Sequence, residues 1–342
     1  MANIKDIAKQ CKVNPATVSR ALNGKKGVSE KVRARIIKTA QRLGYSKNPL
    51  AAGLITHKSG IIGLVVPDIT NPYYASVAQG VSAVLRQNGY GTFLCDSTRS
   101  REQEQQYFGM LCSYRVEGVV LLSVTAKPED LEIFREKGIR VLCVDNPISN
   151  EVSTVLNDNY QGACDLTEHL VRDCGVKRLV AVMGTKDAET TRQRLRGCVE
   201  TLSRLGVSGI LAGTLYTQPD YDHGDAIMGE AMKLSPDCVF AVNDQVALGA
   251  FSWCLRNHVD VPGQVKLCGF DDIAAASMIS VPLTTVHQRK YVLGEKAATQ
   301  LIYELRNPDS LPMRIELLPK LMIRASCGEL SSTSAGDGGA QS

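Results

Sequence analysis

A short stretch near the N-terminus, Asn14-Pro15-Ala16-Thr17-Val18-Ser19-Arg20, sets small and hydroxyl side chains around one guanidinium. On a helix, Ala16, Thr17, Ser19 and Arg20 turn away from the apolar side made by Val18, Ala21 and Leu22. Such a face suits a DNA major groove, where arginine binds guanine O6 and N7 and small residues let the backbone approach. The plainer reading is a solvated helix face. A second set of candidates is scattered down the chain, each just beyond an apolar run. Tyr73 and Tyr74 follow IIGLVVP, Asp158 follows VSTVLN, Arg194 comes after RLVAVMG, Asn243 and Asp244 end CVFAVND, and Asp271 ends KLCGFD. Carboxylates and arginine offer multi-point hydrogen bonds to hydroxyls, and tyrosine rings cover the apolar face of a sugar or base. Each also has a purely structural role open to it: Asp244 and Asp271 as helix caps, Tyr73 as core, Arg194 as a partner of Glu189.

Neither set makes a catalytic constellation. No GxxxxGK[ST] occurs, no GxGxxG follows the first strand, and there is no HExxH or GxSxG. His57, His169, His223, His258 and His287 lie far apart, so neither a metal nor a cofactor is expected. Eleven cysteines, an odd number without a CxxC pair, read as thiols in a reducing cytoplasm. The first residues, MANIKDIAKQ, carry charges where a signal peptide would be apolar. No apolar run approaches the roughly 18 residues of a membrane helix.

The charge is unevenly placed. Residues 1–58 hold thirteen Lys/Arg against Asp6 and Glu30, a net +11 in a chain whose total is only +4. A basic head on a mildly acidic body favours double-stranded DNA as a partner, because phosphate contacts supply most non-specific affinity.

The elements that must position these residues follow from periodicity. In the head, Asn3 caps a helix with Ile4, Ile7, Ala8 and Cys11 inward, and Asn14 and Pro15 open a second. A third starts at Ser29, buries Val32, Ile36, Ala40 and Leu43, and stops at Gly44, which makes a helix-turn-helix. From Gly60 onward, buried strands at 61–67, 90–95, 118–123 and 140–144 alternate with helices at 73–87, 101–114 and 128–137. The pattern restarts with strands at 178–184, 209–214, 238–243 and 265–270, and a helix over 245–257 carries Trp253 as packing. Two such series predict two doubly wound parallel sheets, whose ligands bind at the carboxyl ends of the strands.

The head, with TVSRALN followed by VSEKVRARI and LGY, closely resembles that of the LacI/GalR family of bacterial transcriptional regulators. PDITNPYY, VFAVNDQVALGA, GFDDI and PLTTVHQ extend the resemblance to about residue 325. It implies an all-α helix-turn-helix head plus an α/β two-lobed periplasmic-binding-protein-like effector domain. The expected limits are 1–45 for the head, 46–58 for a hinge, and 59–325 for the effector and dimerisation domain. The lobes of that domain would be 59–158 plus 288–325, and 159–287. Residues 326–342, rich in Ser, Gly and Ala, are expected to be a disordered tail.

By this resemblance Pro15, Ala16 and Arg20 read base edges, and Asn14, Thr17, Ser19 and Asn23 face phosphates or bases. Ile4, Lys5 and Tyr45 complete the DNA-facing set. Leu54 matches a hinge leucine that wedges into the minor groove. The hinge departs from its relatives in having Lys47 for a proline, Ala52 for an arginine, and Gly53. In the body Tyr74, Asp158, Arg194, Asp271 and Gln288 would line the effector cleft. TKDAETT after Gly184 lacks the family's frequent glycine-proline turn. The implied function is a repressor that binds a near-palindromic operator as a homodimer and answers to a small-molecule effector. A sugar or sugar derivative leads, with purines or nucleosides as the alternative. A solute-binding protein of a transport system would share the body but has no use for a basic head.

Overall fold

Three capped helices build the head in the computed structural model, which describes residues 3–22, 24, 26–45 and 59–328. Asn3 and Asp6 form a reciprocal capping box at the start of α1 (Ile4–Cys11), satisfying two otherwise orphaned backbone donors. Asn14 Oδ1 accepts from the Ala16 amide at 2.8 Å, and Pro15 opens α2 (Pro15–Leu22). The third helix, α3 (Glu30–Arg42), ends in a Schellman turn with Gly44 at φ +63° and Tyr45 N–H bonded to Ala40 O. Ile7, Ala8, Cys11, Val18, Ala21, Ile36 and Ala40 form its core, with Val32 and Leu43 half-buried against it. Arg35 reaches across to the Cys11 carbonyl at 3.1 Å and ties α3 to the end of α1.

The chain divides into two units, Met1–Ser59 and Gly60–Ser342. The expected hinge, with Leu54, lies outside the described residues, as does Asn23.

The second unit begins with β1 (Ile61–Val66), α4 (Pro72–Gln87), β2 (Gly91–Asp96), α5 (Arg101–Ser113) and β3 (Gly118–Leu121). The helix expected over 128–137 is a 3-10 turn, Pro128–Leu131, leading into α6 (Glu132–Glu136). Then come β4 (Arg140–Val144), β5 (Ser153–Asn157) and α7 (Asn159–Arg172), where the chain passes to the second lobe. That lobe holds β6 (Leu179–Met183), α8 (Glu189–Arg204), β7 (Leu211–Tyr216), α9 (Tyr221–Lys233), β8 (Cys238–Ala241), α10 (Asp244–Arg256), β9 (Lys266–Cys268), α11 (Ala275–Met278) and β10 (Thr285–His287). The chain then returns to the first lobe with α12 (Lys290–Arg306) and β11 (Arg314–Leu317), and crosses once more with β12 (Lys320–Met322).

Both main sheets are parallel, as expected: β11-β5-β4-β3-β1-β2 and β7-β6-β8-β9. Helices cover both faces, so the central strands are apolar on both sides and read as unbroken hydrophobic runs. In the first lobe α12 lies against α4. A Cβ at Gly80 would sit 2.1 Å from Tyr291 O, and one at Gly294 2.1 Å from Val77 O, so the two backbones meet through these glycines.

Two expected boundaries need correction. Residues 320–327 belong to the second lobe, because β12 pairs antiparallel with β10 and the following turn docks on β9. The tail does not start at 326: Ser326 is fully buried, with its Oγ donating to Leu267 O at 2.6 Å, and Cys327 is in the second lobe's core. Polar composition misled there, since a buried serine satisfied by backbone carries no composition signal.

Candidate ligand cleft and DNA-reading helix

The carboxyl ends of the two parallel sheets open into one cleft of about 750 Å³, its mouth included. From the first lobe come Tyr73 and Tyr74, at the start of α4, and Asp145 and Asn146, just past β4. Asn71 Oδ1 caps α4 through the Tyr73 amide at 2.9 Å, and this fixes where both rings begin. Tyr73 is 5% exposed; its hydroxyl donates to the Asp145 carboxylate and accepts from Asn157 Nδ2 at 3.3 Å. Tyr74 meets it edge-on, with ring centres 5.3 Å apart. Burial raises the Asp145 pKa despite the bond from Tyr73, and burial together with that carboxylate's charge pushes Tyr73 well up.

From the second lobe come Arg194, Asn243 and Asp271. Arg194 does not pair with Glu189, which bonds Arg192 instead. Its guanidinium lies 3.9 Å from the Phe270 ring centre, donates to Asn159 Oδ1 at 2.9 Å and Val242 O at 2.5 Å, and stands 3.5 Å from Asp271. Asp271 and Asp272 both take positive φ, +118° and +53°, a conformation rare for side-chain-bearing residues. It is held by Gln288 Nε2 on the Asp271 carboxylate at 2.5 Å and by Lys290 Nζ on the carbonyls of both aspartates. Burial pushes the Asp271 carboxyl up to about 6, against the pull of Arg194 and Lys290.

That shift carries a stability signature. A carboxyl that ionises near 6 when folded and near 3.8 otherwise binds its proton more tightly in the native state. Its contribution is therefore complete below about pH 4 and is lost as pH rises through 6. Wild type should gain about 2–3 kcal/mol over Asp271→Asn between pH 7 and pH 4, at 1.36 kcal/mol per pKa unit. Urea melts of both proteins across that range measure it. A difference that stays constant with pH would show that the carboxyl titrates normally.

Three sequence-based candidates stand elsewhere. Asp244 is fully buried behind the cleft, where its carboxylate accepts from Ile273 N at 2.8 Å and Thr285 Oγ1 at 2.5 Å. Burial and the nearby Asp271 charge raise its pKa to about 8. Gln288 is also sealed and reaches Asp271 rather than open space. Asp158 caps α7 through the Gln161 amide at 2.8 Å and lines a neighbouring recess with Arg196 and Glu316. All three lie near strand or crossover ends; Asp244 and Gln288 bond within the fold behind the cleft, and Asp158 caps a helix beside it. Asn243 caps α10 yet keeps its place in the cleft, its Nδ2 on Pro219 O at 3.0 Å. Asp145 and Ser123, which the sequence reading passed over, also line the cleft, one directly after β4 and the other two residues past β3, so the rule of strand ends applied to every strand would have found both.

In the head, Asn14, Pro15, Ala16 and Arg20 are exposed, while Thr17 and Ser19 are half-buried. Val18 and Ala21 are buried on the opposite side of α2, so the exposed set forms one continuous face. Lys5 is exposed; Ile4 and Tyr45 are half-buried and pack against the head core. Among the described residues no group of His, Cys, Asp or Glu could hold a metal ion, and no helix is long and apolar enough to cross a membrane.

A helix-turn-helix with an exposed helix face, joined to a two-lobed body with a cleft at its strand ends, defines a ligand-responsive DNA-binding regulator. Residues 3–48 match the family of bacterial regulatory proteins, lacI family, and residues 59–318 match periplasmic binding proteins and sugar binding domain of LacI family. The chain belongs to the LacI family of bacterial transcriptional regulators. It is 29% identical over 329 residues to the ribose operon repressor of Escherichia coli K12, covering 95% of this chain and all of that protein. It is 27% identical over 337 residues to the HTH-type transcriptional repressor PurR of Mannheimia succiniciproducens, covering 97% of this chain and all of that one. Among solved structures, a transcriptional regulator CelR–cellobiose complex superposes with a TM-score of 0.73 at 27% identity, over 95% of this chain and all of that one. These relatives are regulators, not enzymes.

Proposed function

We propose that the protein is a homodimeric repressor whose operator affinity is set by a neutral sugar or sugar derivative in the cleft. The observation that carries this reading is the pairing of chemistries across the cleft, Tyr73 with Asp145 on one lobe and Arg194 with Asp271 on the other. Carboxylates that accept from vicinal hydroxyls, beside aromatic rings, suit a polyhydroxylated ring. The charge of the lining speaks against a phosphate: Asp145, Glu189 and Asp271 outnumber Arg99 and Arg194. Cellobiose in the CelR complex and the name of the ribose operon repressor support the same class.

The ligand acts by binding one arrangement of the lobes better than the other, and that difference is all it can transmit. A two-fold dimer would present two α2 faces to a near-palindromic operator, with Leu54 of each hinge at its centre. Such a regulator works in the cytoplasm, where its operator is. The test is a thermal-shift and calorimetric series on the full chain with neutral pentoses, hexoses and disaccharides, their phosphates, and nucleosides. A bound sugar at 100 times its Kd should stabilise by about 2.7 kcal/mol and shift operator affinity. Binding confined to phosphates or nucleosides would overturn the sugar assignment.

A further inference from the structure

The first lobe holds a second cavity of about 740 Å³, its mouth included, at the amino ends of β4 and β5. All strands of that sheet are parallel, so this edge lies opposite the effector cleft, and it is the edge at which the chain enters β1. Leu131, Ile139, Val141 and Val152 give the cavity an apolar wall. Glu304, from the last turn of α12, and Ser310, from the connection to β11, are polar groups on its lining.

Glu304 is 4% exposed. One of its carboxylate oxygens accepts from Ser153 Oγ at 2.5 Å and from Gln300 Nε2 at 2.9 Å. The other oxygen has no hydrogen-bond partner among the described residues, and no Lys, Arg or His among them pairs with this carboxylate. The neighbouring cations are committed elsewhere. Arg135 pairs with Glu132 and Glu151, Arg140 donates to the Pro308 carbonyl, and Arg306 bonds Asn88 Oδ1 at 2.8 Å. A carboxylate taken out of water without a counter-charge is costly, and a bound cation offsets that cost. The negative end of the α12 dipole favours a cation at the same place. Ser310 Oγ supplies an independent sign of a missing partner: it is buried with no hydrogen bond, on the lining of this cavity.

We propose that this cavity is a second ligand site, for an aliphatic primary amine bound as its ammonium ion. The ammonium donates to the free Glu304 oxygen and to Ser310 Oγ, and the alkyl chain lies on Leu131, Ile139, Val141 and Val152. A neutral alcohol of the same length can satisfy Ser310 but leaves the carboxylate without a counter-charge. A carboxylic acid brings a second negative charge against it. One carboxylate and one hydroxyl also fall short of the six or more oxygens that calcium or magnesium requires. Because the cavity and the effector cleft open at opposite edges of one sheet, the amine and the effector bind without competing.

The test is isothermal titration calorimetry of the full chain at pH 7 with n-butylamine, n-pentylamine and n-hexylamine. Each added methylene should tighten binding about three- to fourfold. Neutral 1-hexanol and anionic hexanoate should bind about tenfold more weakly than n-hexylamine, or worse. Glu304→Gln keeps an acceptor for Ser153 and Gln300, and should weaken n-hexylamine about tenfold or more. Ser310→Ala removes a hydroxyl that bonds nothing in the protein, so it should fold normally and weaken n-hexylamine about threefold or more. Asp271→Asn, in the effector cleft, should bind the amine as wild type does. Three results would overturn the proposal: no saturable binding of n-hexylamine, 1-hexanol binding as tightly, or affinity that ignores Glu304→Gln and Ser310→Ala. Loss of the amine in Asp271→Asn would overturn it too, by moving the ligand to the effector cleft.

Discussion

Arg194→Ala is expected to abolish the response to effector while leaving operator binding intact. Arg194 is 6% exposed and its guanidinium holds Asn159, the Val242 carbonyl and Asp271 at once, so truncation strips three partners together. An effector that accepts from this guanidinium should lose about 2–5 kcal/mol with that buried charged contact, roughly a 30-fold or greater loss of affinity. A second loss compounds the first. Arg194 is the largest influence holding the Asp271 pKa down, so without it that carboxyl climbs further above 6 and is protonated over more of the neutral range. The effector then meets neither the fork of donors nor the carboxylate acceptor. Lysine at 194 should not rescue, because a single ammonium cannot make the planar three-way contact or stack on Phe270. Calorimetry with the effector, beside gel shifts with the operator, reads both halves. A variant that folds normally and still responds would show that the ligand binds elsewhere.

Arg20→Ala should separate specific from non-specific DNA binding. The side chain is exposed in the last turn of α2, so its loss leaves the head's core untouched and stability within about 0.5 kcal/mol. On the specific operator the cost should be about 1–3 kcal/mol, the worth of one bidentate arginine–guanine contact, with much less lost on random DNA. Lys5→Ala, also exposed, should weaken both DNAs alike and reduce the salt slope by about one if it meets a phosphate. Fluorescence anisotropy at several salt concentrations distinguishes the two patterns. If Arg20→Ala instead loses affinity equally on both DNAs, α2 is not oriented in the groove as inferred.

The head and the parallel sheets could be read from the chain because their signals are local. A capping box at Asn3 and Asp6, a proline at the start of α2, and a glycine that closes α3 each act within a turn of helix. Unbroken apolar runs such as IIGLVV mark strands covered on both faces, and those faces need no knowledge of which helix covers them. The strand-end rule placed Tyr73, Tyr74, Arg194, Asn243 and Asp271 beside one cleft, since a parallel sheet sends all its carboxyl ends to one side.

Partners distant in sequence were decided by tertiary structure alone. Only the packed fold puts β11 beside β5, with Ile315 opposite Val155, and sends β12 back to the second lobe. Asp244 and Asp271 have the same side chain and similar strand-end positions. One is sealed against Ile273 N and Thr285, the other lines the cleft beside Arg194, and that division depends on which donors the crossover strands bring near. Capping, periodicity and charge are properties of neighbours along the chain, so the elements, the basic head and the strand-end positions open to a ligand are legible in it. Which carboxylates face the ligand, and which hold the crossovers, waited on burial and hydrogen bonding between residues far apart in sequence, and only the folded body sets those.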